Sequence, residues 1–466
     1  MLTRTVSALG ARVAAVFTKT APDPFVLAIV LTLIAAALAL TLGETAGDGP
    51  KLVTILDAWR ADDGLWRFLA FGMQMCLVLV TGHALAASKP VRAVVGALAG
   101  LPRSGPAAAA LVGLVAALFG LVNWGLGLIV GALFARDVAR ALEARGVRAH
   151  YPLLAAAGYA GFLVWHSGLS GSAPLSTTTR EGAAKVLPPE ALAALPEGAG
   201  VPLDETIFSP MNLVVTGGLL VIIPLALWLL APRADEGVRT IAEHDVPLDE
   251  PGVERPASPT IPDRLHHSPV FSTLLAVMLG AAVVRYGSVS GLTRVGLNEI
   301  NAAMLALGLL LHGSTASYVR AAEDGARGCA GVILQFPLYA GIMALLGASG
   351  LIASFSRTLA EFGNDTTVPL FTFVSAGVVN LFVPSGGGQW GIQGPIALEA
   401  GAAAGVPPGK MIMAVAYGDQ LTNMLQPFWA LPLLAITGVR ARDIVGYTAI
   451  VMVLAGAWMA LGLLAF

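Results

Sequence analysis

The chain has 466 residues, of which 56% are hydrophobic and 12% charged, with a formal net charge of −2. Soluble domains carry about 25% charged residues, so this composition excludes a soluble globular fold, and the lack of net positive charge argues against a nucleic-acid partner. The two cysteines, Cys76 and Cys329, both lie inside apolar blocks, with no zinc-type spacing and no disulfide framework.

The first segment, MLTRTVSALGARVAAVFTKT, spreads Arg4, Arg12 and Lys19 along an apolar background. It lacks the apolar core and small-residue cleavage site of a signal peptide and reads as an interfacial amphipathic arm. Apolar blocks follow at 25–42, 68–87, 211–231, 269–286, 329–347 and 443–466. Each approaches the roughly 20 residues that cross a bilayer as helix. The expected class is an all-α polytopic membrane protein, with the lipid bilayer as its solvent. Between Ala231 and Pro269 the sequence turns rich in proline and charge, the mark of a solvated linker. The predicted organisation is a first membrane repeat with its interfacial arm (1–231), a cytoplasmic linker (232–268) and a second membrane repeat (269–466).

The halves on either side of the linker resemble each other. Gln74 falls opposite Gln335, Asn123 opposite Asn380, Tyr159 opposite Tyr417 and Pro174 opposite Pro432, at nearly one offset. Internal repeats of this kind are common in secondary transporters, which bind substrate and ions at the repeat interface near mid-membrane. Suppose the blocks around Asn123 and Asn380 are re-entrant hairpins. About nine transmembrane helices then remain, at 25–42, 66–87, 151–176, 210–231, 269–287, 298–313, 328–347, 409–437 and 442–466. The N-terminus is then cytoplasmic and the C-terminus periplasmic. Twice as many Lys and Arg residues fall inside as outside, as the positive-inside rule requires. Corresponding helices lie an odd number of crossings apart, so the repeats are expected to be inverted. The helix at 269–287 has no clear partner in the first half.

Four segments carry the candidate chemistry. The hairpin tips are VNWGLG, with Asn123, Trp124 and Gly125, and VNLFVPSGGGQW, with Asn380, Ser385, Gly386, Gly387 and Gly388. Glycine and proline free backbone groups from helical bonding, which at membrane depth is tolerable only beside protein or a water-filled cavity. An ordinary extramembrane turn is the plainer use of three glycines, and the match to Asn123 argues against it. The helices that follow each look broken. One turns polar through His166, Ser167, Ser170 and Ser172, and the other carries Asp419, Gln420, Thr422, Asn423 and Gln426. An unwound helix offers carbonyls to a cation and N–H groups to an anion, which suits Na⁺ beside a carboxylate. An acid at a helix centre costs about 2.5–3.5 kcal/mol on insertion scales, which makes Asp419 the most expensive residue of the set. A structural hydrogen bond to a neighbouring helix is its plainer reading. His83 and His312 carry less weight than His166.

No Arg lies well inside the tips or breaks, which suits a small monocarboxylate better than a polyanion. Trp124, Trp165, Phe382, Trp390, Phe428 and Trp429 flank these motifs, as an apolar slot for a short acyl chain or as packing and interface anchors. GLSG at Gly168–Gly171 matches an intramembrane serine protease pattern built on Ser170, but the partner His motif is missing. There is neither H-E-x-x-H nor a P-loop. No catalytic residue, metal ligand set or cofactor is therefore expected beyond a coupling Na⁺ or H⁺.

The stretches LAFGMQMCLVLVTGHALA, NWGLGLIVGALFAR, GLSGSAPL, NLFVPSGGGQW, QGPI and AYGDQLTNMLQPFWALP resemble the bacterial short-chain fatty acid transporter family, and more distantly the wider ion-transporter superfamily. The resemblance runs from Pro22-Asp23-Pro24 onward. It implies transport of butyrate-like acids or acetoacetate across the bacterial inner membrane, with two re-entrant hairpins, two unwound helices and often Na⁺ at the tips. By that resemblance Asn123 and Ser385–Gly388 sit at tips, and His166–Ser172 and Asn423–Gln426 are the unwound segments. Members often carry Glu where this chain has Asp419, which keeps the charge and shortens its reach. Relatives by fold are often dimers, so a homodimer is an open partner. The expectation is a secondary active transporter of short monocarboxylates, by H⁺ or Na⁺ symport with alternating access. A cation/proton antiporter, a carrier of another organic anion and an intramembrane serine hydrolase are the alternatives.

Overall fold

A computed structural model describes residues 2–20, 22–44, 50–232, 237–244, 246, 260–290, 297–361 and 363–466. Its regular structure is helical, with one isolated bridge, Thr179 to Ala199, among the described residues. Short helices at Arg180–Ala184, Pro189–Ala194 and Ile261–His266 aside, the helices are α1 (Leu2–Thr20), α2 (Pro24–Leu42), α3 (Lys51–Arg60), α4 (Leu69–Ala87), α5 (Lys89–Ala99), α6 (Gly105–Val122), α7 (Trp124–Ala144), α8 (Tyr151–Ala160), α9 (Ser172–Ser176) and α10 (Pro210–Leu230). After the linker come α11 (Pro269–Ser290), α12 (Leu297–His312), α13 (Thr315–Ala326), α14 (Ala330–Ala348), α15 (Leu351–Glu361), α16 (Val368–Phe382), α17 (Gly386–Ala403), α18 (Pro408–Thr422), α19 (Pro427–Thr437) and α20 (Ala441–Ala465). Several starts are capped as their sequences dictate. Asp23, Ser104, Ser209 and Ser314 each accept a backbone N–H of the first turn, and Pro occupies the first turn of α2, α6 and α10, where its missing N–H costs nothing.

Six described helices are long and apolar enough to cross a membrane: Pro24–Leu42, Gly105–Val122, Pro210–Leu230, Pro269–Val289, Thr315–Ala348 and Ala441–Ala465. The bent pair α4 and α5 would make a seventh. Three of the expected crossings, 151–176, 298–313 and 409–437, are absent from this set: the first and third are broken into short pieces, and α12, with 16 residues, is too short. At about 1.5 Å per residue, α6 is roughly 27 Å long, so the first hairpin arm is itself long enough to span.

The two halves interlock. The helix α4 packs against α12 and α13 of the second half, while α14 packs against α2 and α3 of the first. The helices α10 and α20 lie together, with Trp458 Nε1 donating to the Val215 carbonyl at 2.9 Å. Small residues let backbones approach closely, as at membrane helix interfaces generally. A Cβ on Gly158 would press into the backbone of Gly131 on α7, and one on Gly131 into Gly158. The linker is only partly solvated. Its 237–244 stretch docks on both halves: Arg239 Nη2 donates to Asp443 Oδ1 at 3.0 Å, the Arg239 N–H to His150 Nδ1 at 3.1 Å, and Arg148 Nη2 to the Val238 carbonyl at 3.1 Å. Most of the remaining linker lies outside the described residues.

Candidate functional site

Two helix breaks and two hairpin tips meet in the centre of the molecule. After α8 the chain runs through a 3₁₀ turn, Gly161–Val164, and then irregular backbone to α9. After α18 it passes through a 3₁₀ turn, Asn423–Leu425, and an extended Gln426 before α19. Both breaks fall where the sequence predicts unwinding.

Each tip is tied to the break that follows it. The Leu121 carbonyl, at the end of α6, accepts the Leu169 N–H at 2.7 Å. The Leu381 carbonyl, at the end of α16, accepts Gln426 Nε2. Carbonyls at a helix C-terminus lack intrahelical partners, and the breaks supply them. The tips also reach the opposite half. Trp124 packs on Trp429 with ring centroids 5.0 Å apart, and a Cβ on Gly386 would lie 2.6 Å from the Trp165 ring and 3.0 Å from His166 Cε1.

Asn123 and Asn380 hold different places. Asn123 is the N-cap of α7, its Oδ1 accepting the N–H groups of Gly125 and Leu126 at 2.9 and 3.3 Å. The corresponding N-cap of α17 is Ser385, whose Oγ accepts from Gly388 at 3.2 Å. Asn380 lies inside α16, and its Nδ2 donates to Thr422 Oγ1 at 3.0 Å and Asn423 Oδ1 at 2.8 Å. Ser170 Oγ accepts the Trp124 N–H at 3.0 Å. Ser172 begins α9 and lies 4.0 Å from where a Cβ on Gly387 would sit.

His166 and Asp419 join the two breaks. His166 Nδ1 lies 2.9 Å from Asp419 Oδ1, with both side chains almost wholly buried. The Ala173 N–H donates to His166 Nε2 at 3.0 Å, so Nε2 is the acceptor nitrogen and the proton of a neutral ring sits on Nδ1, pointing at the carboxylate. Gln420, the next residue, accepts at Oε1 from the N–H groups of His166 and Ser167 and from Ser167 Oγ, at 3.0, 3.1 and 3.3 Å. Asn212 Nδ2 donates to the Ser167 carbonyl at 3.0 Å, and Asn212 Oδ1 accepts from Tyr417 at 2.9 Å. Tyr159 donates across to the Asn423 and Gln426 carbonyls, at 2.7 and 3.0 Å. Several of the backbone groups freed by the breaks are thus held by side chains from other helices.

Six buried polar atoms around this centre have no hydrogen-bond partner. Three are donors, Trp165 Nε1, Gln420 Nε2 and Asn423 Nδ2, and three are acceptors, Asp419 Oδ2, Asn380 Oδ1 and Gln426 Oε1. Buried side-chain polar atoms are nearly always satisfied, and each exception calls for a reason. Arg136 is the only buried Lys or Arg among the described residues. It bonds to Asp137 at 3.0 Å, twelve residues along α7 from Trp124, or roughly 18 Å at helical rise.

Of the aromatic residues singled out in the sequence, Trp124, Trp165, Phe428 and Trp429 gather here, with Phe71, Phe162 and Phe336 completing the cluster. Phe382 instead lines an apolar pocket with Leu38 and Phe355, and Trp390 belongs to a separate core. His312 spends both nitrogens elsewhere, on Ser317 Oγ and the Ala84 carbonyl. The hydrolase alternative fails on geometry. A serine nucleophile needs a base within hydrogen-bond reach, whereas both nitrogens of His166 are already bonded to Asp419 and Ala173.

Interlocked apolar helices around a buried polar centre mark a multi-pass membrane protein, and the family it falls in is one of transporters rather than enzymes. A profile of the short chain fatty acid transporter family matches residues 5–466, and the chain belongs to that family. Two curated relatives carry the name "Putative short-chain fatty acid transporter". The Escherichia coli K12 protein is 37% identical over 96% of this chain and 96% of its own. The Haemophilus influenzae protein is 34% identical over 92% of this chain and 93% of its own. Two solved structures also align at 17% identity. The Alcanivorax borkumensis YdaH transporter gives a TM-score of 0.44 over 95% of this chain and 97% of its own. Neisseria gonorrhoeae MtrF, described with a class of antimetabolite efflux pumps, gives 0.38 over 99% and 97%. Overlaps of that size carry no argument.

Proposed function

We propose that the chain is a secondary active transporter of short-chain monocarboxylates such as butyrate or acetoacetate, and that the tips and breaks form its central binding place. The observation that carries this reading is the set of unpartnered donors and acceptors around that centre. The donors Trp165 Nε1, Gln420 Nε2 and Asn423 Nδ2 suit a carboxylate, while Asp419 Oδ2, Asn380 Oδ1 and Gln426 Oε1 suit a coupling Na⁺ or H⁺. The aromatic cluster beside them suits a short acyl chain. With no buried Arg or Lys at the site, a single negative charge is the most that these dipoles would hold.

The mechanism proposed is alternating access between two inverted repeats. The order α4–α5–α6–α7–α8/α9–α10 is mirrored by α14–α15–α16–α17–α18/α19–α20, and the exchanged packing of α4 and α14 supports the duplication. Hairpins α6–α7 and α16–α17 would enter from opposite sides of the inner membrane, with the N-terminus cytoplasmic and the C-terminus periplasmic. Antiport would use the same carboxylate and differs in the sign of the gradient that drives uptake. Purified protein in liposomes, given labelled butyrate or acetoacetate under imposed Na⁺, pH and voltage gradients, tests the reading. Uptake above protein-free vesicles under an inward H⁺ or Na⁺ gradient is expected. No protein-dependent uptake under any gradient would sink it.

A further inference from the structure

Two carboxylates are buried among the described residues, Asp419 and Asp443. Asp443 has Arg239 at 3.0 Å and Arg440 at 3.7 Å. Asp419 has only a neutral donor, His166, on one oxygen and no partner on the other. A buried carboxylate without a compensating charge is strongly disfavoured, so this site requires a positive partner in part of its cycle.

The surroundings decide what that partner is. The helices α6, α9, α10 and α16, all packed around the breaks, carry no ionisable side chain. Charged groups on the other packed helices are Arg136, Asp137, Arg140 and Glu143 on α7, Glu399 on α17, Lys410 on α18, and Arg442 and Asp443 on α20; those on α7, α17 and α18 lie at least nine residues along the helix from the tip or break. The phenols of Tyr159 and Tyr417 face the breaks, and both donate to other partners. The side-chain oxygens bonded into the His166–Asp419 junction are engaged, while the free Asn380 Oδ1 and Gln426 Oε1 belong to side chains tied into the second tip and break. Gln420 Oε1 accepts three donors, and Asn212 Oδ1 accepts from Tyr417 and Thr216. A proton needs one lone pair only, and Asp419 Oδ2 has it free.

Resting on the transport reading above, we infer that the coupling ion is a proton, that it binds Asp419 Oδ2, and that His166 is its positioning residue rather than its carrier. A second proton on His166 would have to enter at Nε2, where the Ala173 N–H points. The ring therefore stays neutral while α9 stays docked, and the pair takes up one proton beyond the one on Nδ1. Loading moves that proton from water onto an Oδ2 lone pair. The Nδ1–H···Oδ1 and Ala173 N–H···Nε2 bonds are retained. A carboxylate substrate settling nearby brings the negative charge that favours the loaded pair, so proton and anion each strengthen the binding of the other.

The test counts protons. Butyrate, as its tetramethylammonium salt, is titrated calorimetrically into the purified full-length protein in sodium-free buffers of different ionisation enthalpy, across a range of pH. The expected uptake rises to one proton per butyrate, unchanged by added Na⁺, with a protonated-carboxyl band appearing in the infrared difference spectrum of the wild type. Asp419→Glu should keep both signals, and Asp419→Asn should abolish both. His166→Gln should shift the pH profile of proton uptake while retaining the infrared band. Butyrate binding with no proton uptake at any pH, or binding that requires Na⁺, overturns the inference and leaves the transport reading standing. No binding of butyrate or acetoacetate under any condition overturns both.

Discussion

Gln420 shapes the first break from the other half of the molecule. Its one carbonyl oxygen takes three donors from His166 and Ser167, and that fixes where the His166 ring lies against Asp419. Leaving a buried donor unsatisfied costs about 1–3 kcal/mol. Gln420→Leu, which strands two backbone N–H groups, should therefore lower the thermal midpoint clearly in detergent. Gln420→Asn keeps a neutral carbonyl acceptor, one methylene shorter, and should lower it less. Asp419 is legible in the sequence because a charge inside an apolar run stands out. Gln420 is picked out only as one polar residue of a broken helix and Asn212 not at all, since a neutral polar side chain reveals its task only when its partner from a distant helix is in place. Tyr159 leaves a trace as the match to Tyr417, but that match says nothing of its bond to the Asn423 carbonyl.

The breaks and tips are written locally and are the easiest elements to read. Gly161, Gly168, Gly171 and Pro174 cannot sustain one helix through 161–174, and Gln426-Pro427 interrupts the second, since a residue before Pro avoids the helical region. The equivalence of Asn123 and Asn380 is misleading because similarity of neighbours aligns them, whereas the N-cap geometry aligns Asn123 with Ser385. Close packing between elements is likewise invisible in sequence, because it depends on which glycine faces which. Gly158 meets the α7 backbone, while a methyl group on Gly217 of α10 would have nothing within 4 Å. Gly158→Ala should cost about 1–3 kcal/mol by overpacking. Gly217→Ala should be neutral or stabilising by up to about 1 kcal/mol, from helix propensity. Thermal unfolding of the two single variants gives the comparison, and equal effects would contradict the packing described.

Across the whole molecule, the 237–244 stretch clasps α7 and α8 of one half to α20 of the other. His150 sits in this clasp just outside α8, its pKa lowered to about 4 by burial first and then by the charges of Arg239 and His244. The folded state thus favours the neutral ring. The resulting stability is complete above the unfolded value near 6.5 and is lost as pH falls toward 4. It amounts to up to about 3 kcal/mol. The thermal midpoint should fall over that window, and His150→Asn, which keeps an acceptor for the Arg239 N–H without titrating there, should flatten that part of the fall. Membrane class follows from composition, and the two breaks from their local glycine, proline and polar residues. The exchange of α4 and α14 between halves does not, because it is a choice of packing partner rather than of local structure.

One buried site between the halves is proposed to carry a short monocarboxylate across the membrane. Counterflow tests it most directly, because the neutral acid can leak through lipid but cannot drive accumulation of label by exchange. Liposomes holding the protein are preloaded with unlabelled butyrate and diluted into a trace of labelled butyrate with no ion gradient. A transient overshoot of label inside is expected, absent from protein-free vesicles and reduced at least tenfold by Asn423→Ala, which removes a donor of the site. Label that rises only to equilibrium, at the same rate with and without protein, would contradict it.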